Sequence, residues 1–163
     1  MGLMLLQLAL RGNASKVAVA DLSEERLARA KRLGATSTTT DVTRLREEED
    51  LGYDCVIDAT GVPRVIETAF DMVKRGGKLL VFGVAPAEAR VSLSPFRIYN
   101  DEITVVGSMA ILHSYAPAVD LISTGAFDAE ALLTETMLLD EYPAALDMVR
   151  RGEGLKTQVL PNG

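Results

Sequence analysis

Four stretches of this 163-residue chain place polar or glycine residues directly after short apolar runs: V17AVAD21, V56IDATG61, L80VFGV84 and V105VGSM109. Short β-branched apolar runs mark strands covered on both faces, as in a parallel sheet. Ligands of such sheets bind outside the carboxyl ends of the strands. The residues to weigh are therefore Asp21, then Ala59-Thr60-Gly61, Phe82-Gly83-Val84 and Gly107-Ser108-Met109. Glycine at a strand end lets a flat ligand lie against backbone, although strand-to-helix turns also use glycine for geometry alone. Asp21 is the most informative. In a dinucleotide-binding sheet, a carboxylate at such a strand end can accept hydrogen bonds from both hydroxyls of an adenosine ribose and would repel a 2′-phosphate, which favours NAD over NADP. Its alternative role is to cap the turn before Ser23. Arg26, one helical turn on, can lay its guanidinium over an adenine or stand as a surface arginine.

Other chemistry is thinly represented. One cysteine, Cys55, and one histidine, His113, permit no intramolecular disulfide and no zinc site of the usual Cys/His kind. Cys55 falls inside an apolar strand, where it reads as a small buried hydrophobe. His113 reads as a polar loop residue, and no Ser-His-Asp pattern stands out. The net charge of −6, with acids and bases interspersed, argues against a nucleic-acid or membrane partner. M1GLMLLQLAL10 is too short to span a bilayer and lacks the basic flank of a signal peptide, so a soluble, cytoplasmic protein is expected.

The elements that position these residues alternate. Residues 2–11, apolar on nearly every side, predict a helix buried between layers. Ser23 reads as the N-cap of a helix whose inner face is Leu27, Ala30 and Leu33, with Gly34 at its end. T36STTTDV42 predicts a polar edge strand, and R44LREEEDLG52 a charged, exposed segment. After the strand Y53DCVID58, Val62, Val65, Ile66, Ala69, Phe70 and Val73 form one stripe of a helix with Pro63 in its first turn. Gly76-Gly77 is expected to end that helix and turn into K78LLVFGV84. A looser polar stretch over 85–100 precedes the strand E102ITVVGS108. A helix opened by Ser114 and Pro117, an extended L132LTETMLL139, a helix capped by Asp140 and a strand K156TQVL160 complete the chain. Strands alternating with capped helices predict an α/β fold, a parallel sheet of βαβ units.

In this collinear order, G2LMLLQLA9, V17AVADLSEERLARAKRLGA35, Y53DCVIDATG61, G76GKLLVFGV84, E102ITVVGS108 and G154LKTQVLP161 resemble the medium-chain dehydrogenase/reductase family. Within it the likeness is to the zinc-dependent alcohol, sorbitol and threonine dehydrogenases, and it covers essentially the whole chain. The resemblance implies a Rossmann-type doubly wound parallel sheet. It also implies that the first strand and most of the glycine-rich loop are lacking, because Met1-Gly2-Leu3 matches only the last three positions of the family's G-x-G-P-x-G-L. Residues 1–130 would be a truncated NAD-binding domain. Residues 131–163 would be a return segment toward a catalytic domain.

The implied contacts with NAD are Gly2 at the pyrophosphate helix, Asp21 at the ribose and Arg26 at the adenine. Thr60, Gly83, Val84, Ser108 and Met109 would lie on the nicotinamide side, and Lys156 at the pyrophosphate. The family's zinc ligands and proton relay match nothing here, so no catalytic and no metal-binding residue is expected. The implied function is the cofactor-binding part of an NAD-dependent zinc-type alcohol or polyol dehydrogenase, inactive alone. The alternatives are a non-catalytic nucleotide-binding or dimerisation module, and a methyltransferase, against which D58ATG61 and residues 131–161 argue. Without its first strand the sheet would have a slot between V17AVA20 and C55VID58. Closure of the neighbours, a switch of residues 1–10 to strand, or a second copy would fill it. A homo-oligomer is expected, also because relatives dimerise through the strand matching E102ITVVGS108.

Overall fold

A computed structural model describes residues 1–109, 113–125 and 127–162 of the chain. It divides into two compact units, Met1–Tyr115 and Ala116–Gly163. In the first unit β1 (Ala18–Ala20) pairs in parallel with β2 (Ser37–Thr39). A second parallel sheet runs β3 (Tyr53–Asp58), β4 (Val73–Val81), β5 (Thr104–Gly107), with β4 central. The connecting helices are α1 (Gly2–Arg11), α2 (Glu24–Arg32), α3 (Val42–Glu48), α4 (Pro63–Asp71) and α5 (Pro95–Asn100). This is the α/β architecture that the alternating pattern predicts, of the Rossmann type that the resemblance implies.

The helices form for local reasons. Ser23 Oγ accepts from the Arg26 N–H at 3.3 Å, and Glu24 and Glu25 open α2 while Arg29, Lys31 and Arg32 close it, both favourable to the helix dipole. Leu27 and Ala30 are its buried face. The main core lies between α4 and the three-stranded sheet: Ile66, Ala69 and Phe70 pack with Val73, Leu79 and Ile103. Arg97 of α5 pins this core from the side. Its guanidinium lies 5.2 Å from the Phe70 ring centroid and donates to the Val73 carbonyl at 2.9 Å and to Asp101 at 3.0 Å.

Several expectations are corrected. The apolar stripe over residues 62–73 is not all helix, because α4 stops at Asp71 and Val73 opens β4 opposite Tyr53. Strand pairing and burial of Val73 prevail over its helical spacing. Gly76-Gly77 therefore lies inside β4, where the register shifts between Tyr53 and Cys55; a Cβ on Gly77 would come within 2.8 Å of the Lys74 carbonyl. The charged segment after residue 41 contains α3, capped by Asp41, whose Oδ1 accepts from the Thr43 N–H at 2.9 Å. The stretch over 85–100 contains α5, capped by Ser94. Helix α1 buries only Leu3 and Leu6, so it covers one face instead of sitting between layers.

Helix α1 spans Gly2–Arg11 and β1 does not pair with β3, so neither the switch of residues 1–10 to strand nor closure of V17AVA20 onto C55VID58 is seen. Cys55 is exposed, contrary to the buried reading, on β3, an edge strand of its sheet.

The second unit holds most of α6 (Tyr115–Ser123), a 3₁₀ turn at Glu130–Leu132, and the parallel pair β6 (Glu135–Leu138) and β7 (Thr157–Leu160) joined through α7 (Tyr142–Arg150). Asp140 does not cap α7. A 3₁₀ turn over Leu139–Glu141 intervenes, and the Glu141 carboxylate accepts from the Leu138 N–H at 2.8 Å. Among the described residues no helix is long and apolar enough to cross a membrane.

Candidate functional site

The carboxyl ends of β3, β4 and β5 are fastened to one another by backbone. The Asp58 carbonyl, last in β3, accepts from the N–H groups of Phe82 at 3.0 Å and Gly83 at 2.8 Å, just beyond β4. The Ser108 N–H, just beyond β5, donates to the Val81 carbonyl at 3.2 Å. Thr60, Gly83, Val84 and Ser108 thus stand on one continuous wall, with Met109 following. Glycine is required where the two turns touch. A Cβ on Gly83 would lie 2.1 Å from the Gly61 nitrogen, and one on Gly61, at φ +72°, would lie 2.3 Å from the Val84 carbonyl. Apolar side chains stand out from the wall, with Val84 92% and Met109 85% exposed. An exposed apolar rim beside backbone-lined turns suits the face of a flat ring.

Asp21 and Arg26 form a separate pair at the end of β1. The Asp21 N–H donates to the Thr39 carbonyl at 3.2 Å, fixing the strand end to β2. Its Oδ1 accepts from the Ser23 N–H at 2.9 Å, so the turn-capping role is real. Oδ2 lies 3.8 Å from the Arg26 guanidinium, and both side chains are partly open to solvent. The carboxylate therefore keeps accepting capacity beyond the turn, and the capping role does not exhaust it.

The remaining residues are placed differently. Gly2 is the first residue of α1, and a Cβ there would meet nothing within 4 Å, so no neighbour in this chain demands glycine. Lys156 belongs to the second unit and is exposed at the entry to β7; its carbonyl accepts from the Thr134 N–H at 3.0 Å. His113 is exposed with φ +56°, a loop residue as expected. Among the described residues no three His, Cys, Asp or Glu side chains cluster so as to hold a metal ion.

Asp58 is the residue that the sequence reading passes over. It is 1% exposed, and Thr60 and Gly61 both donate to its carboxylate. Its position two residues before Thr60, at the point where an apolar run meets a turn, is the signal that was available.

A cavity of about 340 Å³ lies at the opposite, amino ends of β3 and β4, lined by Arg46, Glu49, Tyr53, Asp71 and Arg97 among others. Two of its carboxylates are engaged, Glu49 with Lys16 at 2.6 Å and Asp71 with Arg97 at 3.4 Å. Burial, with Glu48 and Glu49 nearby, pushes the Tyr53 phenol up, and its hydroxyl donates to the Leu45 carbonyl at 2.8 Å. These groups brace α3 and α5, and they stand at the wrong end of the strands for a switch-point ligand.

Parallel sheets with helical crossovers and glycine-bearing turns at the carboxyl edge are a Rossmann-type architecture. The profile described as "Zinc-binding dehydrogenase" matches residues 1–124, and the chain belongs to that family. It is 35% identical over 170 residues to D-arabinitol dehydrogenase 1 of Uromyces fabae, covering 99% of this chain and 49% of that protein. Among solved structures it is similar to a zinc-binding dehydrogenase of Sinorhizobium meliloti bound to NADP, with TM-score 0.88 and 28% identity, covering 98% of this chain and 49% of that one. Alcohol dehydrogenase TADH of Thermus sp. ATN1 superposes with TM-score 0.87 and 30% identity over 98% of this chain and 47% of its own. The chain thus spans about half the length of the relatives it matches.

Proposed function

We propose that this chain is the cofactor-binding portion of an NAD-dependent, zinc-type alcohol or polyol dehydrogenase. The observation that carries the reading is Asp21, a carboxylate fixed at the end of β1 with one oxygen not committed to backbone. Two ribose hydroxyls can donate to that oxygen; a 2′-phosphate would meet its charge. The Sinorhizobium structure holds NADP, so the preference for NAD rests on Asp21 in this chain and not on that relative.

When bound, the nicotinamide ring supplies the hydride acceptor for an alcohol carbon. The chain's own residues bind and orient. Asp21 holds the ribose, and Arg26 covers the adenine and partly neutralises Asp21. The turns at Thr60, Gly83-Val84 and Ser108-Met109 offer backbone polar groups and an apolar rim to the nicotinamide side. Gly2 is assigned to the pyrophosphate. The described residues provide no zinc ligand set, so no zinc-dependent step is assigned to this chain. We place it in the cytoplasm, with residues 1–130 as the cofactor domain and 131–163 as the return segment toward catalytic machinery.

The further reading as a homo-oligomer is favoured by one observation: β5 is an open sheet edge on which Val105 and Val106 are exposed. Sedimentation checks it, and a monodisperse monomer would count against it. The cofactor reading is tested by Asp21→Ala. Loss of the carboxylate should narrow the gap between NADH and NADPH affinity by about tenfold. An unchanged ratio in a folded variant would remove Asp21 from the ribose site.

A further inference from the structure

Asp58 is the one buried charged side chain among the described residues, and it has no role in the cofactor contacts assigned above. Its carboxylate accepts three hydrogen bonds: Oδ1 from the Thr60 N–H at 3.0 Å and the Thr60 hydroxyl at 2.6 Å, and Oδ2 from the Gly61 N–H at 3.0 Å. The Thr60 hydroxyl accepts in turn from the Val62 N–H at 3.0 Å, which leads into the first turn of α4. With the two donors to its carbonyl, this single residue gathers five hydrogen bonds from the turns that leave β3 and β4. Its main chain holds the Phe82-Gly83 turn, and its side chain holds the Thr60-Gly61 turn.

The arrangement has a second property. No lysine or arginine forms an ion pair with Asp58 among the described residues, and its partners are neutral backbone and hydroxyl donors. A buried carboxylate answered only by neutral donors leaves its charge uncompensated in a medium of low dielectric, where its field reaches further than in water.

We propose that Asp58 is a positioning residue of the cofactor site. It clasps the β3 and β4 turns into one wall, and its charge favours the oxidised, cationic nicotinamide over the neutral reduced ring. The inference rests on the cofactor-binding reading and assigns a determinant of its redox preference that the ribose and adenine contacts do not touch. A residue that only stabilised the fold would lose both affinities together. One that acts through its charge changes their ratio.

The test uses the full 163-residue chain and two variants, Asp58→Asn and Thr60→Val. Asparagine keeps the shape and the Oδ1 acceptor but removes the charge and puts an amide NH₂ where the Gly61 N–H is accepted. Valine keeps the carboxylate and removes only the hydroxyl link. Amide exchange is followed at Thr60, Gly61 and Val62 against Leu79 in the core, and dissociation constants are measured for NAD⁺ and NADH separately. In Asp58→Asn, exchange at Gly61 should rise about tenfold or more with Leu79 unchanged. The ratio of the NAD⁺ to the NADH dissociation constant should also rise, by about threefold or more. In Thr60→Val, Val62 should lose protection while Leu79 keeps its own. If Asp58→Asn does not fold, unaltered Val62 protection in Thr60→Val overturns the clasp. A wild-type ratio in folded Asp58→Asn, or unaltered exchange at Gly61, overturns the inference. Failure of the unmodified chain to bind either dinucleotide would instead overturn the cofactor reading, and the exchange arm would still decide the clasp.

Discussion

Substituting alanine for Gly83 tests the contact between the two turns with a single methyl group. The new Cβ would lie 2.1 Å from the Gly61 nitrogen and 2.6 Å from the Thr60 nitrogen, about 1.3 Å inside the ~3.4 Å at which ordinary contact begins. Both obstacles are backbone, so no side chain can rotate away, and the turns must separate. Inserting one methyl into a packed site costs typically about 1–3 kcal/mol, and a backbone obstacle puts Gly83→Ala at the top of that range, near 3 kcal/mol. Gly107→Ala is the control. A Cβ there meets nothing within 4 Å, and reduced freedom of the unfolded chain should stabilise it by up to about 1 kcal/mol. In urea, with a slope of about 2 kcal/mol per molar, the Gly83→Ala midpoint should fall by roughly 1.5 M while that of Gly107→Ala holds or rises. Displacement of the Thr60-Gly61 turn should also weaken NADH binding in Gly83→Ala. A Gly83→Ala midpoint within about 0.3 M of wild type would show that the turns do not meet as described.

Other outcomes follow from the same packing. Leu79→Ala empties a fully buried position between α4 and the sheet and should cost about 3 kcal/mol in the same urea titration. Arg97→Met removes the donor to the Val73 carbonyl and to Asp101 and should cost about 2 kcal/mol by urea midpoint. The Arg97 and then the Asn100 hydrogen bonds hold the Asp101 carboxyl below its usual value of 3.8, so its contribution is present above that pH and is lost as pH falls through the lower, folded value. The acid limb of stability should therefore flatten in Arg97→Met, as read by urea midpoints between about pH 5 and pH 2. Cys55, exposed on the open edge of β3, should react with a thiol reagent in native buffer as fast as after denaturation; slow labelling would mean that something covers that edge.

The alternation of strands and helices was legible because β1, β3 and β5 fall on short apolar runs and α2 and α4 carry clear first-turn signals at Ser23 and Pro63. The boundary of α4 was not. Val73 sits at helical spacing from Ala69 and Phe70, and only its pairing with Tyr53, on a distant strand, assigns it to β4. Helices α3 and α5 run for 7 and 6 residues, too short to show a period. Cys55 was misjudged because an apolar strand reads the same whether or not a neighbour covers it. Asp21, Thr60, Gly83 and Ser108 could be located from strand ends alone. The reach of Asp58 into both turns could not, since it depends on where the β4 turn returns.

The central claim, that this chain binds NAD through Asp21, is tested most directly by calorimetric titration of the purified chain with NADH and then with NADPH. The account predicts saturable one-to-one binding of NADH, with NADPH at least about tenfold weaker. Binding of NADPH as tight as NADH, or of neither by a folded chain, would contradict it.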